Sequence, residues 1–88
     1  MYHVRILNEA TAELARLSPP IGRQVVKKIN WLAEHLNNLY PEALTGHLLG
    51  LYKLRVGDYR VLYQILEDEQ TIVIHQVGHR RDIYKRRR

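Results

Sequence analysis

The sequence predicts an α+β domain: an N-terminal strand, a two-helix hairpin and a three-stranded antiparallel meander, with both helices packed on one sheet face. Three observations carry that prediction. Apolar residues recur at helical spacing from Ile21 to Leu36, they alternate with polar ones after Gly50, and Ser18-Pro19-Pro20 breaks the first half of the chain.

The elements follow in order. Tyr2-His3-Val4-Arg5-Ile6-Leu7 partly alternates and is β-branched enough for a strand. Asn8 suits the N-cap of a first helix, with Glu9 in its first turn and Ala12, Leu14 and Ala15 supplying small or apolar faces. That helix is expected to stop before Ser18-Pro19-Pro20, because a residue preceding proline is pushed out of the helical region. Ser18 then caps the next helix and Pro19 fills its first position, where a missing N–H costs nothing. Ile21, Val25, Ile29, Leu32 and Leu36 form its apolar stripe, while Arg23, Lys27, Lys28 and Glu34 fall on other faces, and Asn37-Asn38 ends it. The short connection implies an antiparallel hairpin, whose stripe needs a sheet to cover it.

Beyond a loop holding Pro41, Gly46 and Gly50, residues 51–56 and 59–66 read as two strands joined by a Gly57-Asp58 turn. Glu67-Asp68-Glu69-Gln70 makes a polar turn, and residues 71–77 a third strand. Gly78 is expected to permit an abrupt change of direction after it.

Eighty-eight residues make one domain, 1–88, whose core must be economical, since a chain of this size buries only about 60% of its unfolded surface. The absence of cysteine excludes a disulfide framework and a thiolate zinc site. No apolar run approaches the roughly 18 residues of a membrane span, and no signal-peptide pattern follows Met1. A complete, soluble, cytoplasmic protein is the expectation. Charge is more informative. Residues 1–52 carry five basic and four acidic side chains, a balance of +1; residues 53–88 carry nine and five, a balance of +4. An excess gathered in one half points to an anionic partner, with nucleic acid the first suspect, although a basic surface also serves solubility.

Alternation places Lys53 and Arg55 on one face of their strand, and tight pairing across Gly57-Asp58 adds Arg60 to them, on the side away from the helices. Three cations on one uncovered face, with no local carboxylate except Asp58, repel one another unless an anion such as phosphate resolves them. The competing reading is an ordinary solvated face of a half-exposed sheet. If the third strand lies beside the second, its exit brings Gly78-His79-Arg80-Arg81 to the rim of this face.

With these residues in view, the chain resembles the RelE/ParE toxin superfamily of bacterial type II toxin–antitoxin systems, on the RelE side. LYKLRVGDYRVLYQI at 51–65 and VGHRRDIY at 77–84 carry the resemblance, which spans essentially the whole chain. It implies the RelE-like microbial RNase fold and a ribosome-dependent, metal-independent endoribonuclease that cuts translated messenger RNA in the A site. It implies phosphate-handling roles for Lys53, Arg55 and Arg60, a catalytic arginine at Arg80 with Arg81 as the alternative, and a functional tyrosine at Tyr84. It also implies a RelB-like antitoxin partner, contact with operator DNA only through the antitoxin complex, and Leu39, Tyr40 and Leu44 as antitoxin anchors. The ParE branch, which keeps the fold and poisons DNA gyrase, is the alternative, and an inactive RNA- or antitoxin-binding member is a third.

The residues allow such chemistry without a cofactor. His3, His35, His47 and His75 are scattered over different elements, so a metal site is not expected. RNA supplies its own nucleophile, the 2′-OH. Fixed cations at Lys53, Arg55 and Arg60 suit the charge developing on phosphorus. By side-chain type His79 is the best proton carrier of the segment. Tyr84 either exchanges a proton or stacks on a base, and Arg80, always charged, suits electrostatic stabilisation. Arg23, Lys27, Lys28 and Lys85 to Arg88 read as a grip on ribosomal RNA, the last four equally as a solvated end.

Overall fold

The apolar stripe of the second helix decides the architecture, because every residue of it must be covered by a sheet. The computed structural model describes residues 1–85, and Arg86, Arg87 and Arg88 lie outside the described residues. The chain runs β1 (His3–Ile6), α1 (Asn8–Arg16), α2 (Pro19–His35), β2 (Glu42–Ala43), β3 (Tyr52–Val56), β4 (Tyr59–Leu66) and β5 (Thr71–His79). Short 3-10 turns lie at Leu36–Asn38, Gly46–Leu48 and Glu67–Glu69. The sheet has five strands in the order β1-β5-β4-β3-β2. β1 runs parallel to β5, and the other pairs are antiparallel.

The α+β class and the helix hairpin agree with the sequence, and the details differ in four places. β2 lies where the sequence predicts only loop; two polar-to-small residues carry no alternation to detect, and the strand exists through its pairing with β3. Asn8 is not the cap of α1 but its first residue, because the Leu7 N–H donates to the Ile74 carbonyl at 3.0 Å, holding the chain extended up to the helix. Ser18 does sit at the N-cap of α2 with Pro19 next, yet its side chain makes no capping hydrogen bond. β5 continues two residues past Val77, so Gly78 lies inside the strand opposite Arg60. The extension is held by the Arg80 N–H, which donates to the Asp58 carbonyl at 2.8 Å and moves the change of direction to residues 79–83.

On the helix side, Val25, Ile29, Leu32 and Leu36 of the stripe are buried with Ala10 against Leu54, Val56, Val61, Tyr63, Ile72, Ile74 and Val77. The alternation of β5 is interrupted on the way. Leu62 pairs with Gln76 but Tyr63 pairs with Ile74, so His75 is an extra residue, a bulge. Ile72 and Ile74 before it, and Val77 after it, therefore share the core face. β1 accompanies β5 only as far as Ile74. Beyond that point α1 takes over, and Glu13 Oε1, from a residue only 5% exposed, accepts the Val77 N–H at 2.6 Å.

Removing that acceptor leaves a buried N–H without it, which typically costs about 1–3 kcal/mol. Glu13→Ala is expected to lower unfolding free energy in urea by that amount, and Glu13→Gln, which keeps an acceptor, by less. A second expectation concerns alkali. Burial pushes the Tyr63 hydroxyl up to about 12 from its ordinary 10.0. The unfolded chain then ionises first, so the stability it contributes is full below about pH 10 and is lost as pH rises toward about 12. Melting temperatures measured across that window should fall less steeply for Tyr63→Phe.

Candidate functional site

The face of the sheet turned away from the helices is not uncovered, as alternation alone implied. Leu48, Leu51, Leu62 and Ile83 form a second buried cluster there, with Leu44 and Tyr84 packed against it. Leu62 and Ile83 are fully buried. The turn following β5 makes this possible: the Asp82 and Ile83 N–H groups donate to the His79 carbonyl at 2.9 and 3.0 Å, and the Lys85 N–H to the Asp82 carbonyl at 3.0 Å. This curl lays Ile83 on Leu62 and fastens the basic C-terminal segment across the sheet.

Around that cluster the cations are individually held. The register sets Arg55 directly opposite Arg60 and Lys53 opposite Leu62, so all three share this face. Like charges directly opposed across strands destabilise a pair. The structure resolves the conflict by turning the two arginines apart. Arg60, almost fully buried, curls back and donates through Nη1 to the Gly57 and Tyr59 carbonyls, both at 2.8 Å. Arg55 reaches the other way to Glu42, at 3.4 Å. Lys53 Nζ lies 3.0 Å from the same carboxylate and 5.8 Å from the centre of the Tyr84 ring. The Lys53 side chain is only 15% exposed, unusual for a lysine and consistent with a stem packed along apolar surface.

Glu42 is the carboxylate that sequence reasoning missed. The sole local acid expected was Asp58; Glu42 arrives through the unforeseen β2, directly across from Lys53. Its two partners, Lys53 first and Arg55 second, hold its carboxyl below the ordinary value. Ile83 was missed as well, although a lone aliphatic residue inside HRRDIYK was a legible sign of an anchor.

The remaining sequence-derived residues divide. Arg80 joins the rim: its Nε lies 3.8 Å from Asp58 Oδ1, and its backbone is tied to the same residue. The Gly57-Asp58 turn thus anchors both Arg60 and Arg80. Tyr84 lies beside Lys53, and its hydroxyl is buried without a hydrogen-bond partner among the described residues, as is Gln76 Oε1. His79 is placed elsewhere. Its ring meets Tyr59 edge-on at 5.3 Å, and Tyr59 packs on the helix-side core. Its Nδ1 accepts the Arg81 backbone N–H at 3.1 Å. Arg81 and Lys85 are exposed on the C-terminal turn. Tyr40 is fully exposed, while Leu44 packs against the second cluster. Among the described residues no group of three or more His, Cys, Asp or Glu is placed to hold a metal ion, and no helix is long and apolar enough to cross a membrane.

Chemically, this is a face with four cations on it or at its rim, beside a phenol. Such a face suits the charge of a phosphate, and among the described residues it holds no strong base.

Comparison with known proteins gives this geometry a setting. A family model described as the ParE toxin of the type II toxin–antitoxin system, parDE, matches residues 4–84. The chain is 35% identical to toxin RelG of Mycobacterium tuberculosis over 85 residues, covering 97% of this chain and 98% of that protein. It is 33% identical to toxin RelE of the same organism over 86 residues, covering 96% and 87%. Among solved structures, the M. tuberculosis toxin–antitoxin complex RelBE2 matches with a TM-score of 0.80 at 33% identity, covering 89% of this chain and 96% of that one. The isolated Escherichia coli RelE toxin matches in fold, with a TM-score of 0.75 at 20% identity over 90% of this chain and 84% of that one.

Truncating the anchor of the basic face tests its construction. Ile83→Ala truncates a fully buried side chain, for which about 2–5 kcal/mol is typical. Hydrogen exchange should show the Ile83 and Lys85 amides opening well before those of β4 and β5.

Proposed function

We propose, on the premise that the chain belongs to the family of ParE toxins of type II toxin–antitoxin systems within the RelE/ParE superfamily, that it is a toxin cutting translated messenger RNA on the ribosome without a metal. The observation that carries this reading is the gathering of Lys53, Arg55 and Arg60 on one sheet face, with Arg80 at its rim and the Tyr84 ring beside Lys53. The 2′-oxygen of the substrate attacks the adjacent phosphorus, the bond to the 5′-oxygen breaks, and the 2′-proton leaves as a proton reaches the 5′-oxygen. Charge builds up on the phosphoryl oxygens between these states. Arg60 is suited to meet it, because two main-chain carbonyls fix its guanidinium in advance and little reorganisation is needed.

Tyr84 is the group that lacks something. Among the described residues its buried hydroxyl has no partner, which is costly, and a substrate oxygen reaching it supplies one. Proton exchange is therefore given to Tyr84, with Arg80 as electrostatic stabiliser and Arg81 and Lys85 as further phosphate contacts. His79, turned toward Tyr59, is assigned to shaping the Arg80–Arg81 turn. A site with no strong base is weak alone, and positioning of the message by the ribosome supplies the missing orientation. The RelBE2 relative was solved as a toxin–antitoxin complex, which supports a RelB-like antitoxin as partner here; a target on the ribosome implies action in the cytoplasm.

The family model, described for ParE, favours a second reading in which the fold is kept and the protein inhibits DNA gyrase without cutting RNA. Primer extension on a translated message after induction separates the two. Ribosome-dependent cuts within codons are expected, reduced on the order of 10²-fold or more by Arg60→Ala, Arg80→Ala or Tyr84→Phe in folded protein. Supercoiling inhibition without cuts selects the gyrase reading. Cleavage at a 2′-O-methylated position would sink the proposed attack.

A further inference from the structure

Glu42 sits where a bound phosphate is called for. A single oxygen, Oε2, lies 3.0 Å from Lys53 Nζ and 3.4 Å from Arg55 Nη2, so one anionic atom joins two cations from the same strand. An RNA phosphate oxygen would satisfy the same pair in the same way.

The two sides of this arrangement differ in how firmly they are held. Lys53 is fixed, its side chain 15% exposed and lodged beside the Tyr84 ring. Glu42 is not. Its side chain is 48% exposed, and it belongs to a strand of two residues at the edge of the sheet. Exposed ion pairs of this kind are worth little and yield readily to a competing anion. Both partners nonetheless favour the ionised carboxylate, so the competing charge is present at neutral pH.

We propose that Glu42 is an internal substitute for a substrate phosphate: it keeps Lys53 and Arg55 converged in the free protein and must be displaced before RNA takes its place. The inference rests on the reading of Lys53 and Arg55 as phosphate contacts. Its consequence is discrimination. Loose RNA must displace an anion and then tolerate it nearby, whereas RNA already positioned by a larger surface overcomes that barrier with contacts made elsewhere.

Fluorescence anisotropy tests this with a short fluorescein-labelled single-stranded RNA, 2′-O-methylated throughout so that it is not cut, over a series of KCl concentrations. Glu42→Gln is expected to bind it about three- to tenfold more tightly than the unaltered protein. The slope of log affinity against log salt should steepen by up to about 0.7, because no released carboxylate takes up a cation. Glu42→Ala should behave alike; a gain confined to one variant traces to packing and counts against the proposal. Equal or weaker binding by both, at unchanged melting temperature, overturns it. Lys53→Ala separates the two levels of the argument. If it weakens binding while the Glu42 variants gain nothing, the phosphate site stands and the internal anion falls. If it binds as the unaltered protein does, the reading of Lys53 falls and takes this inference with it.

Discussion

The burial of Ile83 against Leu62 is the contact on which the basic face depends. A four-residue apolar cluster of Leu48, Leu51, Leu62 and Ile83 is small beside the helix-side core. Yet it converts what would be a charged tail into a defined wall of the sheet. Without it, Tyr84 would have no fixed relation to Lys53, and Arg80 would be tied only through the Asp58 carbonyl and a side-chain contact at 3.8 Å. The polar chemistry of this chain is thus hung on an apolar peg, and the peg lies within the charged segment it secures.

The second constraint is electrostatic. Four cations on one face of so small a domain would repel one another if each faced only water. The structure gives each a local acceptor: Glu42, shared by Lys53 and Arg55, the Gly57 and Tyr59 carbonyls for Arg60, and Asp58 for Arg80. The acceptors differ in kind. Main-chain carbonyls cannot leave, so Arg60 is permanently set. Carboxylates on an edge strand and at an exposed turn can be displaced, so Lys53, Arg55 and Arg80 can change partners.

How much of this was legible in the sequence follows from periodicity. The α2 stripe and the 59–66 strand were readable because each repeats over several turns or residues, and the gathering of Lys53, Arg55 and Arg60 follows from alternation plus one tight turn. What escaped has no period. β2 is two residues long and is created by its neighbour, so Glu42 could not be paired with Lys53 beforehand. The end of β5 was set by a hydrogen bond to the opposite turn, a tertiary fact that outweighed the expectation attached to Gly78. His79 had the right side-chain type, but type says nothing of direction; strand geometry turns it toward Tyr59. The tail residues Arg86 to Arg88, expected either to grip RNA or to remain solvated, lie outside the described residues.

The single extra residue in β5, His75, acts on the strand as a frame shift acts on a message. Upstream of it the even-numbered positions Ile72 and Ile74 read inward; downstream the odd-numbered Val77 does. Were the ladder regular, with His75 opposite Leu62, the same letters would be read in the other phase: Val77 would fall opposite Arg60 on the cationic face, in the place that side-chain-free Gly78 occupies. One added position in the strand thus sets which face each residue downstream of it serves.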